Sequence, residues 1–101
     1  MAKGYWIGRV DVYDEDGYKS YIAANAAVFK KHGARFLVRG APATLKEGRA
    51  RARNVVLEFE SYQAALDCYN SPEYQQALAL RKPYSAADLI IIEGYDGPQP
   101  S

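Results

Sequence analysis

Val10–Ala26 reads VDVYDEDGYKSYIAANA, and Val56–Tyr69 repeats its plan as VLEFESYQAALDCY. Each begins with an alternating apolar run. Each then has an acidic or serine turn and a tyrosine-bearing stretch with apolar residues at helical spacing. Alternation marks a strand, and the 3.6-residue period marks an amphipathic helix. Two strand–turn–helix units in one short chain set the frame into which the rest must fit.

Working outward, YWIGRVDVY (Tyr5–Tyr13) is the full first strand. Trp6, Val10 and Val12 take one face, and Tyr5, Ile7, Arg9 and Asp11 the other. The acids of DEDG suit a helix N-terminus. A helix follows from Tyr18 to Lys31, its apolar face expected to hold Tyr18, Tyr21, Ile22, Ala26, Val28 and Phe29. It ends at KKHG, with cations for the negative end of the dipole and Gly33 for the left-handed position after the helix. ARFLVRG is a second strand, with Phe36 and Val38 opposite Arg35, Leu37 and Arg39. APATLKEGRARAR is a polar hairpin or wide loop, and NVVLEF a third strand with Val55, Leu57 and Phe59 opposite Val56 and Glu58. Ser61 caps the helix through YQAALDCYN. Ser71 caps a new helical segment with Pro72 at its first position, a strong local start signal. ADLIIIEG is the fourth strand, its weak alternation leaving Glu93 free to point to a cavity or to the sheet margin. The order β-α-β-β-α-β predicts an α+β, ferredoxin-like subunit: a four-stranded antiparallel sheet with two helices on one face. Residues 1–101 form one domain, ordered over about 4–95, with a tail at 96–101 expected to fray.

Composition narrows the function classes. The chain has 101 residues, 49% of them apolar and 25% charged, as in an ordinary globular protein. Its net charge of +1 creates no global field for nucleic acid or a membrane surface. One cysteine, Cys68, allows no internal disulfide and fits a reducing compartment. With no signal-like segment and no apolar run near the length of a membrane span, the expected location is cytoplasmic. No metal-ligand spacing, phosphate loop or nucleophile elbow is present, so neither metal nor cofactor is expected. His32 reads as a cation at a helix C-terminus rather than a general base or haem ligand, and Cys68 as a small packing residue. Lys46, Arg49, Arg51 and Arg53 read as a solvated hairpin rather than a nucleic-acid rim, because no aromatic residues interleave them.

One sheet face accepts the helices. The other is expected to carry Ile7, Leu37, Val56, Ile90 and Ile92 beside Arg9, Arg39 and Glu58. An apolar patch of that size points to a partner, and a homodimer closed sheet to sheet is the expectation. Arginine on a central strand must be paired or must line a cavity. Arg39 and Arg9 therefore form a candidate site for a small anionic ligand, with Glu58 as acid or base. Alternatively, an Arg–Glu pair fixes register or the dimer. Arg39 lies next to Gly40, where a backbone can approach a ligand closely. Asn25, on the sheet side of its helix, needs polar partners or points into the site. Tyr69 and Tyr74 are expected over the sheet edge or a partner with their hydroxyls at water, and Arg81 in the last turn of its helix.

The stretches GYWIGRVDV, YIAANAAVFKKHGARFLVRG, VVLEF with SYQAAL, YNSPEYQQALALR and ADLIIIEG, spanning about Gly4–Gly94, resemble the domain of unknown function 1330 family. RFLVRG and SPEYQ in this order carry most of the specificity. The resemblance implies the fold of the dimeric α+β barrel proteins, which pair sheet to sheet. That group includes cofactor-free monooxygenases, lactone isomerases and haem proteins. The family-like positions are Asn25, Arg39, Tyr69, Tyr74 and Arg81. His32 departs from the family pattern, and haem ligation is not carried over. Two function classes follow: a binder or converter of a small anionic organic molecule, or a non-catalytic dimeric structural or interaction module.

Overall fold

The computed structural model describes residues 2–100; Met1 and Ser101, the ends of the expected domain, lie outside the described residues. The elements are β1 (Gly4–Val12), α1 (Glu15–Lys31), β2 (Arg35–Ala41), β3 (Arg53–Phe59), α2 (Tyr62–Asn70), α3 (Pro72–Arg81), a 3-10 turn (Lys82–Tyr84) and β4 (Ser85–Glu93). The strands form one antiparallel sheet in the order β2-β3-β1-β4. This is the α+β, ferredoxin-like arrangement that the sequence predicts, with the second helix built as two segments.

Local chemistry sets the helix boundaries. Asp14 Oδ1 accepts the N–H groups of Asp16 at 3.1 Å and Gly17 at 3.2 Å, starting α1 three residues earlier than its apolar pattern does. Helix α1 ends at His32, and Gly33 turns the chain with φ +70°, a conformation that only glycine takes without strain. Ser61 Oγ accepts the Ala64 N–H at 3.0 Å and starts α2. Ser71 closes α2 and opens α3: its extended backbone (ψ 145°) bends the chain, and its Oγ accepts the Tyr74 N–H at 3.2 Å. The same Oγ donates to the Cys68 carbonyl at 2.7 Å.

The helices bury one face of the sheet. Trp6 is at the centre of that core, with its ring 4.9 Å from Tyr74, 5.4 Å from Phe29 and 5.5 Å from Phe59. Its Nε1 donates to the Ala65 carbonyl at 2.9 Å, so the indole is buried without an orphaned donor. Cys68 packs in the same cluster, and burial, then the charge of Glu73, pushes its thiol up to about 12. Ala26 is exposed rather than on the apolar face of α1; one position earlier, Asn25 is buried.

Strand β2 departs from simple alternation. Phe36 pairs with Leu57, but Val38 pairs with Val56 and Arg39 with Val55. Leu37 is the extra residue of a bulge, so side-chain parity inverts beyond it. Val38 therefore shares the row of outward-facing Val56, and Arg39 the row of Val55, Gly8 and Leu89 on the helix side. Both sequence-based assignments are corrected by this one inserted residue. A second irregularity lies between Arg39 and Ala41, at Gly40 with φ +87°.

The open face consists of ordered rows. Val38, Val56, Ile7 and Ile90 pair across all four strands in an apolar row. Arg35, Glu58, Tyr5 and Ile92 form the row on one side; Ala41, Asn54, Arg9 and Asp88 form the row on the other. Ile7, Ile90 and Ile92 are exposed, as is Leu37 beside them. Glu93 pairs with Gly4 and is exposed, at the sheet margin.

Candidate functional site

Between the helices and the sheet lies a cavity of about 60 Å³. Its floor is β1 and its neighbours, around Trp6, Gly8 and Val10; its roof is α1 and α3. Tyr18, Tyr21 and Asn25 fall on one side of α1 at the helical spacing i, i+3, i+7 and all line it. Tyr74 reaches it from the first turn of α3, because the Ser71 bend turns that end of the helix into the core. A recess of about 270 Å³ adjoins it, sharing Val10, Tyr18, Ile22 and Arg53 with the cavity.

Three guanidinium groups line this cavity: Arg39 from β2, Arg53 from β3 and Arg81 from α3. Each is placed against an aromatic ring. Arg39 Cζ lies 4.5 Å from the Phe36 centroid, Arg53 Cζ 5.8 Å from Tyr18, and Arg81 Cζ 5.5 Å from Tyr21. Rings hold a guanidinium by its face and leave its N–H edge free. Among the described residues, no ion pair occupies any of the three, and the side-chain partners of Arg53 and Arg81 are neutral phenols, Tyr18 and Tyr74. Arg53 Nε is shut off from solvent without a hydrogen-bond partner. Asp88, the one carboxylate among the lining residues, already accepts from Arg9 at 3.3 Å and Arg51 at 2.9 Å.

The tyrosines supply neutral hydroxyls. Tyr21 and Tyr74 share a hydrogen bond of 2.9 Å between their oxygens. Burial, then Tyr21, pushes the Tyr74 phenol well above its ordinary range, with Arg81 pulling weakly the other way. Burial and then Tyr21 also raise Tyr18, while Arg53 and Arg81 oppose the shift. Both are therefore protonated donors at neutral pH. The site is cationic at its guanidiniums, hydrogen-bonding at its phenols, and aromatic elsewhere.

The structure brings together Arg39, Arg81, Asn25 and Tyr74 among the residues expected from sequence. Tyr69 is half-buried in the core beside them, 5.7 Å from Trp6 and 5.3 Å from Tyr74. The expectation that Tyr74 places its hydroxyl at water is corrected: it is 1% exposed. Arg9 and Glu58 are on the other side of the sheet. Arg9 donates to Asp88 and to the Arg49 carbonyl at 3.0 Å; Glu58 accepts from Tyr5 at 3.3 Å. The grouping of Arg39 with Arg9 and Glu58 thus fails, because the β2 bulge carries Arg39 to the opposite face.

Arg53, Tyr18 and Tyr21 also line the cavity, and the sequence reading does not place them there. The signal for Arg53 is in the sequence: it is in phase with Val55, Leu57 and Phe59, which face the helices. Starting β3 one residue earlier exposes it. The solvated basic hairpin also dissolves into separate roles, since Arg51 donates to Asp11 and Asp88, each at 2.9 Å. His32, at the end of α1, has Nε2 3.8 Å from Glu73. Among the described residues no cluster of three His, Cys, Asp or Glu side chains is placed to hold a metal, and no helix is long and apolar enough to cross a membrane.

Residues 3–95 match the model of a domain of unknown function, DUF1330. The fold is also that of several solved structures. A protein of unknown function from Rhodopseudomonas palustris is 17% identical, with 95% of this chain and 85% of that one covered and a TM-score of 0.68. SnoaB, a cofactor-independent oxygenase from Streptomyces nogalater, is 16% identical over 99% and 97% of the two chains, with a TM-score of 0.60. A dimeric ferredoxin-like protein of unknown function from Thermobifida fusca is 19% identical over 91% and 89%, with a TM-score of 0.58. No curated protein matches the sequence.

Proposed function

The chain belongs to DUF1330, a family of domains of unknown function, and from that premise we propose that it is a cytoplasmic homodimer that binds or converts a small anionic organic molecule in the cavity between its helices and its sheet. The observation that carries the reading is the convergence of Arg39, Arg53 and Arg81 on one cavity whose one lining carboxylate, Asp88, is paired with Arg9 and Arg51 instead. Arg53 and Arg81 are half-buried, whereas Arg39 is exposed; a half-buried charge is costly unless paired, and arginine offers a planar fork that matches a carboxylate or an enolate-like oxygen. The tyrosine hydroxyls and Asn25 supply neutral hydrogen bonds beside that charge. The likeness in fold to a cofactor-independent oxygenase is compatible with chemistry in such a cavity, and the likeness to a dimeric ferredoxin-like protein with pairing through the open sheet face.

The test uses Arg39→Lys, which keeps the charge and loses the fork. The variant is expected to keep its melting temperature within a few degrees and to lose affinity for small organic acids in a thermal-shift titration. A clearly destabilised variant that binds every acid as the wild type does would show that Arg39 serves structure, which is the reading of the protein as a non-catalytic dimeric module.

A further inference from the structure

The three arginines do not stand together. Arg39 and Arg53 belong to the sheet wall, on neighbouring strands either side of Gly40. Arg81 belongs to the helix wall and stacks on Tyr21. Arg53 rests on the ring of Tyr18 and Arg81 on that of Tyr21, and these two rings are 5.4 Å apart. Cationic anchors thus come from two opposing walls, on two different rings, of a cavity too small for several ligands. A single carboxylate satisfies one wall and leaves the other guanidinium half-buried and unpaired. One ligand with an anionic group at each end neutralises both.

Resting on the anion-binding reading above, we propose that the site is built for a small dianion, with one anionic group held by Arg39 and Arg53 and the other by Arg81. The Tyr21 and Tyr74 hydroxyls lie close to the second anchor, bonded to each other at 2.9 Å, and give its ligand group a neutral donor. Between the anchors the lining is aromatic and aliphatic, including Trp6 and Leu57, and suits a short carbon spacer. A compact inorganic or ester phosphate shares the double charge but not the spacer.

Acid pairs of equal carbon number test this on the whole protein at constant ionic strength: malonate against propionate and succinate against butyrate, with inorganic phosphate as a third arm. Calorimetric titration is expected to give at least about tenfold tighter binding for a dicarboxylate than for its partner, equivalent to about 1.4 kcal/mol. Arg81→Gln is expected to abolish most of that preference, weakening dicarboxylate binding by a larger factor than monocarboxylate binding. Should Arg81→Gln not fold, Arg81→Lys reads the same anchor with its charge retained and is expected to weaken the dicarboxylate by a larger factor than the monocarboxylate. Phosphate binding that exceeds both dicarboxylates keeps the dianion and assigns it to phosphate chemistry. Equal binding of mono- and dicarboxylates overturns the dianion inference while leaving an anion site in place. No binding by any of these probes overturns both. A dicarboxylate preference unaffected by Arg81 and Arg53 substitutions overturns the assignment to this cavity.

Discussion

Gly40 has two roles in placing the site's charge. Its φ of +87° belongs to the irregularity beside Arg39, and a Cβ built there would lie 2.6 Å from Arg53 Nη1. A side chain would therefore strain the backbone and displace the guanidinium together. Gly40→Ala is expected to cost about 1–2 kcal/mol from the left-handed backbone alone. It is also expected to weaken organic-acid binding. A denaturation midpoint and a binding titration on the same variant read the two effects separately. The buried thiol and phenol give a pH prediction. Cys68 is raised from 9.0 to about 12, and Tyr74 is raised from 10.0. For a group whose folded pKa exceeds its unfolded pKa, stability is fully present below the unfolded value and is lost as pH rises towards the folded one. Stability should therefore begin to fall above about pH 9, by about 1.4 kcal/mol per pH unit for each such group between its two pKa values. Cys68→Ala removes the earlier slope and Tyr74→Phe the later one. Denaturant unfolding between pH 7 and 11 measures both; a flat profile in the wild type contradicts the assignment.

At the scale of elements, the bend at Ser71 decides what α3 does. Its hydroxyl is both donor and acceptor, closing one helix and capping the next. Without the bend, Tyr74 would not reach Trp6 and Tyr21, and Arg81 would not overlie the cavity. Ser71→Ala removes the cap and leaves the Cys68 carbonyl short of a partner, with an expected loss of about 1–2 kcal/mol. The same substitution should weaken ligand binding, because Tyr74 and Arg81 ride on the helix it starts. A denaturation midpoint unchanged from the wild type would exclude Ser71 as the cap. In β2 the comparable device is the bulge at Leu37, one unpaired residue that exchanges the faces of Val38 and Arg39. Sequence could place the strand but not the bulge. Alternation in RFLVRG is compatible with either parity after Leu37, and only pairing with β3 selects one.

For the whole molecule, the proposed dimer rests on the open sheet face. The row Val38–Val56–Ile7–Ile90 crosses every strand, and its flanking rows carry both signs of charge, Arg35 with Glu58 and Arg9 with Asp88. An apolar centre with a polar rim of both signs is the anatomy of a self-complementary interface. Light scattering at micromolar concentration is expected to give twice the 11.2 kDa chain mass. Ile7→Asp, at the centre of the row, is expected to shift the protein to monomer while leaving the helix-side core intact. A wild-type mass of one chain would remove the dimer from the proposal.

The sequence by itself determined the order of elements, the caps at Ser61 and Ser71, the helix-facing set around Trp6, Leu57 and Phe59, and the apolar open face. Those features are written in local signals: a period, a turn residue, a capping hydroxyl. It also pointed to Asn25, Arg39, Tyr69, Tyr74 and Arg81, of which all but Tyr69 line the cavity, though with Arg39 beside Arg9 and Glu58 on the wrong face. Tertiary structure alone decided that Arg39 joins Arg53 and Arg81 instead. The physical reason is that side-chain parity along a strand is fixed by hydrogen-bond register with its neighbour, and one bulged residue reverses every assignment beyond it.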